Sequence, residues 1–279
     1  NPPDEILYGF DWIVVDPDGV STGFLNKRKA GTFGYVSIGE IDSFREYFKD
    51  VKKEWILGEN PHWNSFVADI RNKEYQTFLI NRVIKTVVTK GFDGILFDTI
   101  DSYQLVLKNE DDRKEYEKAE VEFIKQVKKD YPNIKIMLNR GFEIFDDAAP
   151  YIDGFLMEGL FQTFDISNKE NSYIEVKEEE RKWLIERLNK IKERGIPIIV
   201  VDYVNPKEKK KAEYLVKEIS ALGFIPYISV KELNIIGYSP CKILPRKVLL
   251  LYDSSIEVDP SVSTIHQLTA VPLEYLGFI

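Results

Sequence analysis

The chain has 279 residues, enough for one sizeable core, and its 44% hydrophobic and 30% charged residues are ordinary for a globular protein. Its 46 acids against 38 Lys and Arg leave a net charge of −8, which argues against a nucleic-acid partner and for a neutral or cationic one. No apolar run approaches the roughly 18 residues that cross a bilayer. The single Cys241 excludes an intrachain disulfide, and with only His62 and His266 a histidine-based metal site is not expected. No residue pattern calls for a cofactor.

In chain order, short apolar runs read as strands at 10–16 (FDWIVVD), 32–38 (TFGYVSI), 65–70 (SFVADI), 93–98 (DGILFD), 133–138 (NIKIML), 153–158 (DGFLME), 197–203 (PIIVVDY) and 223–229 (GFIPYIS). Most are separated by charged segments whose apolar residues recur at i, i+3, i+4 and i+7 and which stop at Gly or Pro, as surface helices do. The links after the first and fifth runs hold only a turn or two of helix. Eight βα units in about 230 residues predict a closed (β/α)8 TIM barrel over residues 1–237, with an open doubly wound sheet as the alternative. No strand is followed by a Gly-rich phosphate loop, and polar groups recur at strand C-termini: Asp16, Glu40, Asp98, Asn139, Glu158 and Asp202. That rim is where barrels carry their chemistry. Past residue 237 the rhythm changes, so 238–279 reads as a linker plus a C-terminal extension or the incomplete start of a second domain.

The fourth and sixth runs are near copies that close on acids. Strands of equal parity place side chains in the same interior layers of a barrel, and side chains alternate along a strand. If Leu96 and Leu156 fill the interior, Asp98 and Glu158 face one another in the C-terminal mouth. A facing pair of carboxylates suits glycoside hydrolysis, where one is protonated to assist the leaving oxygen and the other is ionised. The plainer reading is that each acid caps the next turn or pairs with a rim Lys or Arg. A third reading makes Asp98, Asp101 and Glu158 an oxygen site for a hard cation. Around the pair, Asp101, Asn139 and Arg140 can orient it or hold sugar hydroxyls. Trp63, Tyr103, Phe161, Tyr203 and Tyr227 offer rings on which sugar faces stack. Asp16, Glu40 and Asp202 extend the acidic rim, which predicts a negative groove that attracts a polymer bearing ammonium groups.

The segments YVSIGEID, GFDGILFDTIDSY, NRGFE and GFLMEGLF resemble glycoside hydrolase families 114 and 166 over about residues 8–237. The resemblance implies a (β/α)8 endo-hydrolase of α-1,4-linked galactosamine and N-acetylgalactosamine polymers. It also implies a retaining mechanism, with Asp98 as nucleophile and Glu158 as general acid/base; the residues alone leave retention and inversion open. The tail RKVLLLYDSS…HQLTAVPLEYLGF resembles the region after the hydrolase domain of PelA-type exopolysaccharide proteins. That implies a periplasmic or extracellular setting, a biofilm polysaccharide as substrate, and contacts with other exopolysaccharide-assembly proteins through domains outside this chain. The segment opens NPPDEILYGF, with no basic or apolar leader, so any export signal has been removed or was never there. A catalytically silent carbohydrate-binding barrel is the alternative reading from another functional class.

Overall fold

The computed structural model describes residues 10–21, 23, 25, 31–165 and 173–240. All eight apolar runs form strands. Seven of them, β1 (Trp12–Val15), β2 (Gly31–Ser37), β6 (Gly94–Asp98), β7 (Lys135–Asn139), β8 (Gly154–Glu158), β11 (Ile198–Tyr203) and β12 (Ile225–Ser229), make one parallel sheet in chain order. A doubly wound sheet reverses its strand order partway across, and this one never does. The strands curl into a half-barrel with helices outside, a (β/α)8 TIM-barrel-like fold.

The third run departs from the expected eight-stranded closure. β5 (Ser65–Ala68) lies antiparallel between β3 (Glu40–Asp42) and β4 (Ile56–Asn60) in a separate three-stranded sheet. β2 and β6 pair directly instead, Phe33 opposite Gly94 through Ser37 opposite Asp98. Gly94 permits this, because a Cβ there would lie 2.4 Å from the Phe33 ring. Among the described residues nothing pairs β12 with β1; the outer edge of β12 is covered where Ile228 and Tyr238 exchange backbone hydrogen bonds of 2.8 and 2.7 Å. The extension expected from 238 lies, from residue 241 on, outside the described residues.

Each helix follows its apolar period. The first helical run, α1, begins at Lys73, passes through a π segment (Leu79–Ile84), and stops at Gly91, whose φ of 93° is cheap only for glycine. α2 (Glu110–Asp130) starts on an Asn109 side chain that accepts from the amides of Asp111 and Asp112, with acids in its first turn and lysines in its last. α3 (Phe145–Ala148) is the short link expected after the fifth run, and α4 (Glu178–Glu193) and α5 (Lys209–Ala221) follow β8 and β11. A β9–β10 hairpin (Gln162–Phe164, Tyr173–Glu175) precedes α4.

Side chains alternate as the pleat demands. Phe33, Leu96, Met137, Leu156, Val201 and Tyr203 cluster inside the half-barrel. Ile95, Phe97, Ile136, Leu138, Phe155 and Met157 pack outward beneath the helices. The repeated Asp-Gly also has a structural use. Asp93 and Asp153 each accept, at 2.9 Å, an amide near the start of the neighbouring strand in the sheet, from Thr32 and Ile136.

Candidate active site

Leu96 and Leu156 are inside, so Asp98 and Glu158, two residues on, reach the mouth above the same layer. Three adjacent strands end there on polar residues: Asp98, Asn139 and Glu158. Immediately after each, the chain turns left-handed, at Thr99 (φ 64°), Arg140 (φ 60°) and Gly159 (φ 73°). Only the last is a glycine. A β-branched residue rarely adopts that conformation, and Thr99 is held in it by its hydroxyl, which takes the Gly39 amide at 3.0 Å and meets Ser37 Oγ at 2.8 Å.

Asn139 lies between the two acids and is buried. Its Nδ2 donates to Asp98 Oδ1 and to Glu158 Oε1, each at 2.7 Å, so those two oxygens are no farther apart than twice that length. The remaining oxygens are taken by tyrosines: Tyr35 donates to Asp98 Oδ2 at 2.7 Å, and Tyr203 donates to Glu158 Oε2. Burial pushes both carboxyls above their ordinary range. For Glu158 the charge of Asp98 adds to the rise, while Tyr203, Asn139 and Arg140 oppose it. For Asp98 the donors Tyr35, Thr99 and Asn139 oppose burial, and Asp101 adds to it. Both acids thus hold a proton more readily than a free carboxyl, and for Glu158 the neighbouring Asp98 charge is one of the causes.

The other expected residues divide. Asp101 stays at the mouth, half-buried, with its carboxylate 3.7 Å from Arg140 Nε. Trp63 is 54% exposed and meets Phe164 edge-on, and Phe164 meets Tyr203 the same way, which ties Trp63 to Glu158. Phe161 is half-buried under the Arg181 guanidinium, and Tyr227 lines the interior while its hydroxyl accepts the Gly237 amide.

Four residues expected at the substrate surface are placed otherwise. Asp202 is fully buried and accepts from the amides of Leu160, Phe161 and Gln162 at 2.7–2.9 Å, so it fixes the turn after Glu158. Burial lifts its carboxyl to about 6 against those three donors. Glu40 is buried beneath Asn60, Ser65 and Ser102, all of which donate to it, and so fastens the three-stranded sheet to the turn after β6. Tyr103 is buried against Tyr116 and donates to Glu117. Asp16 is exposed but shares Arg45 with Asp18. The expected acidic rim is thus largely neutralised or buried. Among the described residues no three acids, histidines or cysteines are arranged to hold a metal ion, and Asn139 sits where a cation bridging Asp98 and Glu158 would be.

Sequence reasoning missed Tyr35, Phe164 and Arg45. Tyr35 was legible in part: it alternates with Phe33 on β2 and stands opposite Leu96, on the face that carries Asp98. Arg45 lies in the turn after β3 and Phe164 ends the three-residue strand β9, both too short for a period to mark a face.

Comparison with known proteins agrees with this fold. The glycoside hydrolase domain of PelA from Pseudomonas aeruginosa superposes with a TM-score of 0.78 at 26% identity, over 86% of this chain and 94% of that one. Ega3 from Aspergillus fumigatus, solved with galactosamine, shares the fold at a TM-score of 0.63 and 14% identity, over 82% of this chain and 87% of that one. An uncharacterised Thermotoga maritima protein is 27% identical over 273 residues, 85% of this chain and 81% of its own length. MJ1477 of Methanocaldococcus jannaschii, also uncharacterised, is 25% identical over 254 residues, 80% of this chain and 70% of its own. The family model of Glyco_hydro_114 matches residues 2–244, and the chain belongs to glycoside-hydrolase family GH114.

Proposed function

We propose that this glycoside hydrolase is a retaining, endo-acting enzyme on polymers of α-1,4-linked galactosamine and N-acetylgalactosamine. In this reading Asp98 is the nucleophile and Glu158 the general acid/base. The observation that carries it is the shared Asn139 amide. Two oxygens bound to one nitrogen at 2.7 Å suit the roughly 5–5.5 Å carboxyl separation of retaining enzymes better than the 6.5–9.5 Å that leaves room for an attacking water. The substrate class is supported by the PelA hydrolase domain and, at the level of fold alone, by Ega3 crystallised with galactosamine. The PelA likeness also supports a periplasmic or extracellular site of action.

Asp98 attacks the anomeric carbon while Glu158 gives its proton to the departing glycosidic oxygen. Glu158, now ionised, takes a proton from water, which attacks the same carbon and releases Asp98. Tyr35 and Asn139 stabilise the charge on Asp98 before it attacks and again as it is released. The test is incubation with galactosaminan of known acetylation. Released oligosaccharides whose first-formed anomer is α are expected, and a first-formed β anomer would overturn retention. Asp98→Asn and Glu158→Gln are each expected to lower the rate about 10³-fold or more, several kcal/mol of transition-state stabilisation. A protein that binds the polymer without releasing fragments would instead be the silent barrel.

A further inference from the structure

Two rows of side chains run from the carboxylates toward opposite flanks of the sheet. From Asp98 the row passes through Tyr35 on β2 to the Arg45 guanidinium, 5.9 Å from the Tyr35 ring centre and 5.1 Å from that of Phe44. From Glu158 it passes through Tyr203 on β11 to Phe164 at 5.0 Å and then to Trp63 at 6.4 Å. Both rows end at one end of the three-stranded sheet. Phe44 follows β3, whose Asp42 stands opposite Ser65, and Trp63 precedes Ser65 in the β4–β5 turn. The two terminal rings are 76% and 54% exposed.

Single exposed aromatics are common on protein surfaces and need no explanation. These two differ because each is joined by contacts to one member of the catalytic pair. They also stand on the element that took the third strand out of the barrel. Arg45 covers one face of Phe44 and Phe164 meets Trp63 edge-on, so neither contact accounts for the area left exposed. Sugar rings carry apolar C–H faces that stack on such rings, and an ammonium on a deacetylated residue adds cation–π attraction.

We infer that Phe44 and Trp63 are two stacking platforms, side by side at one end of the three-stranded sheet, for sugars beyond those held at the Asp98–Glu158 pair. The substrate is then an amino-sugar chain that reaches past Asp98 and Glu158 onto this surface. This rests on the function proposed above. The experiment measures binding in an Asp98→Asn background, where the ligand survives, by calorimetry with a disaccharide and an octasaccharide of α-1,4-linked galactosamine. The octasaccharide is expected to bind at least about tenfold more tightly. Adding Phe44→Ala or Trp63→Ala should each remove most of that gain while the disaccharide Kd moves less than about twofold. Both rings lie on the surface, so neither truncation opens the core. No gain with length in the Asp98→Asn protein, or a gain that survives in either double variant, overturns the two platforms. Failure of the Asp98→Asn protein to bind either sugar overturns the substrate assignment itself, and the platforms with it.

Discussion

Asn139 spends both hydrogens of its amide on the two acids, and this decides where a proton can sit on Glu158. Oε1 faces a group that only donates, so the acidic hydrogen belongs on Oε2 beside Tyr203, whose hydroxyl can turn and accept it. The two tyrosines should therefore be separable by pH. Tyr35 holds the Asp98 carboxyl down and Tyr203 holds that of Glu158 down, each against burial. In Tyr35→Phe the Asp98 pKa should rise, so the acidic limb of kcat/KM moves up and the active range narrows. In Tyr203→Phe the Glu158 pKa should rise, so the alkaline limb moves up and the range widens. Profiles that shift in the same limb would show that the tyrosines do not act on separate acids. Asn139→Ala removes a donor from both carboxylates and should move both limbs up together, with a loss in rate of about 10²-fold.

At the scale of elements, α2 carries an acid that the chemistry does not use. Glu120 is fully buried on the inner face of the helix, and neither of its oxygens has a hydrogen-bond partner among the described residues. Burial first, then the charges of Asp101, Glu117 and Glu143, raise its carboxyl well above the ordinary 4.5. The folded protein then keeps a proton that the unfolded chain releases. Stability must fall as pH rises from the unfolded value until the raised folded value is passed, by about 1.4 kcal/mol for each unit between them. Glu120→Gln removes that slope. Urea unfolding should find the variant equal to wild type near pH 4, where both states of the wild type are protonated, and more stable at about pH 8. Parallel stability curves would mean that Glu120 has found a partner that keeps it charged.

For the whole molecule the question is charge. The net −8 remains, yet Asp16 shares Arg45, Asp101 faces Arg140, and Glu40 and Asp202 are buried. Under the proposed function, attraction of a partly deacetylated polymer comes from the overall field and not from an acidic rim. From about 20 to 500 mM salt, as the Debye length shrinks from roughly 20 Å to about 4 Å, its kcat/KM should fall severalfold relative to the fully acetylated polymer. Equal salt responses would remove charge from substrate choice. The same acids mark how far the sequence could be read. Apolar runs gave the strands because burial sets their period. The matched acids followed from parity, which survived the loss of the third run because that run precedes both. Glu40 and Asp202 were misread because a strand-end acid looks the same whether it meets solvent or three donors. Tyr103, just past Asp98, was misread because it lies in a four-residue 3-10 turn (Ser102–Leu105), too short for a period to say which way its ring faces.

The three left-handed turns after Asp98, Asn139 and Glu158 bear on how such a site can be rebuilt. Because the backbone bends away at once, each of these side chains is the last fixed point of a paired strand, and the loop beyond it is held by other means. Thr99 is locked by Ser37 and Gly39, and the turn after Gly159 by the Asp202 carboxylate. Strand and loop are in effect separate modules with a hard joint. A loop taken from a relative and grafted after the joint can change length and chemistry without moving Asp98, Asn139 or Glu158.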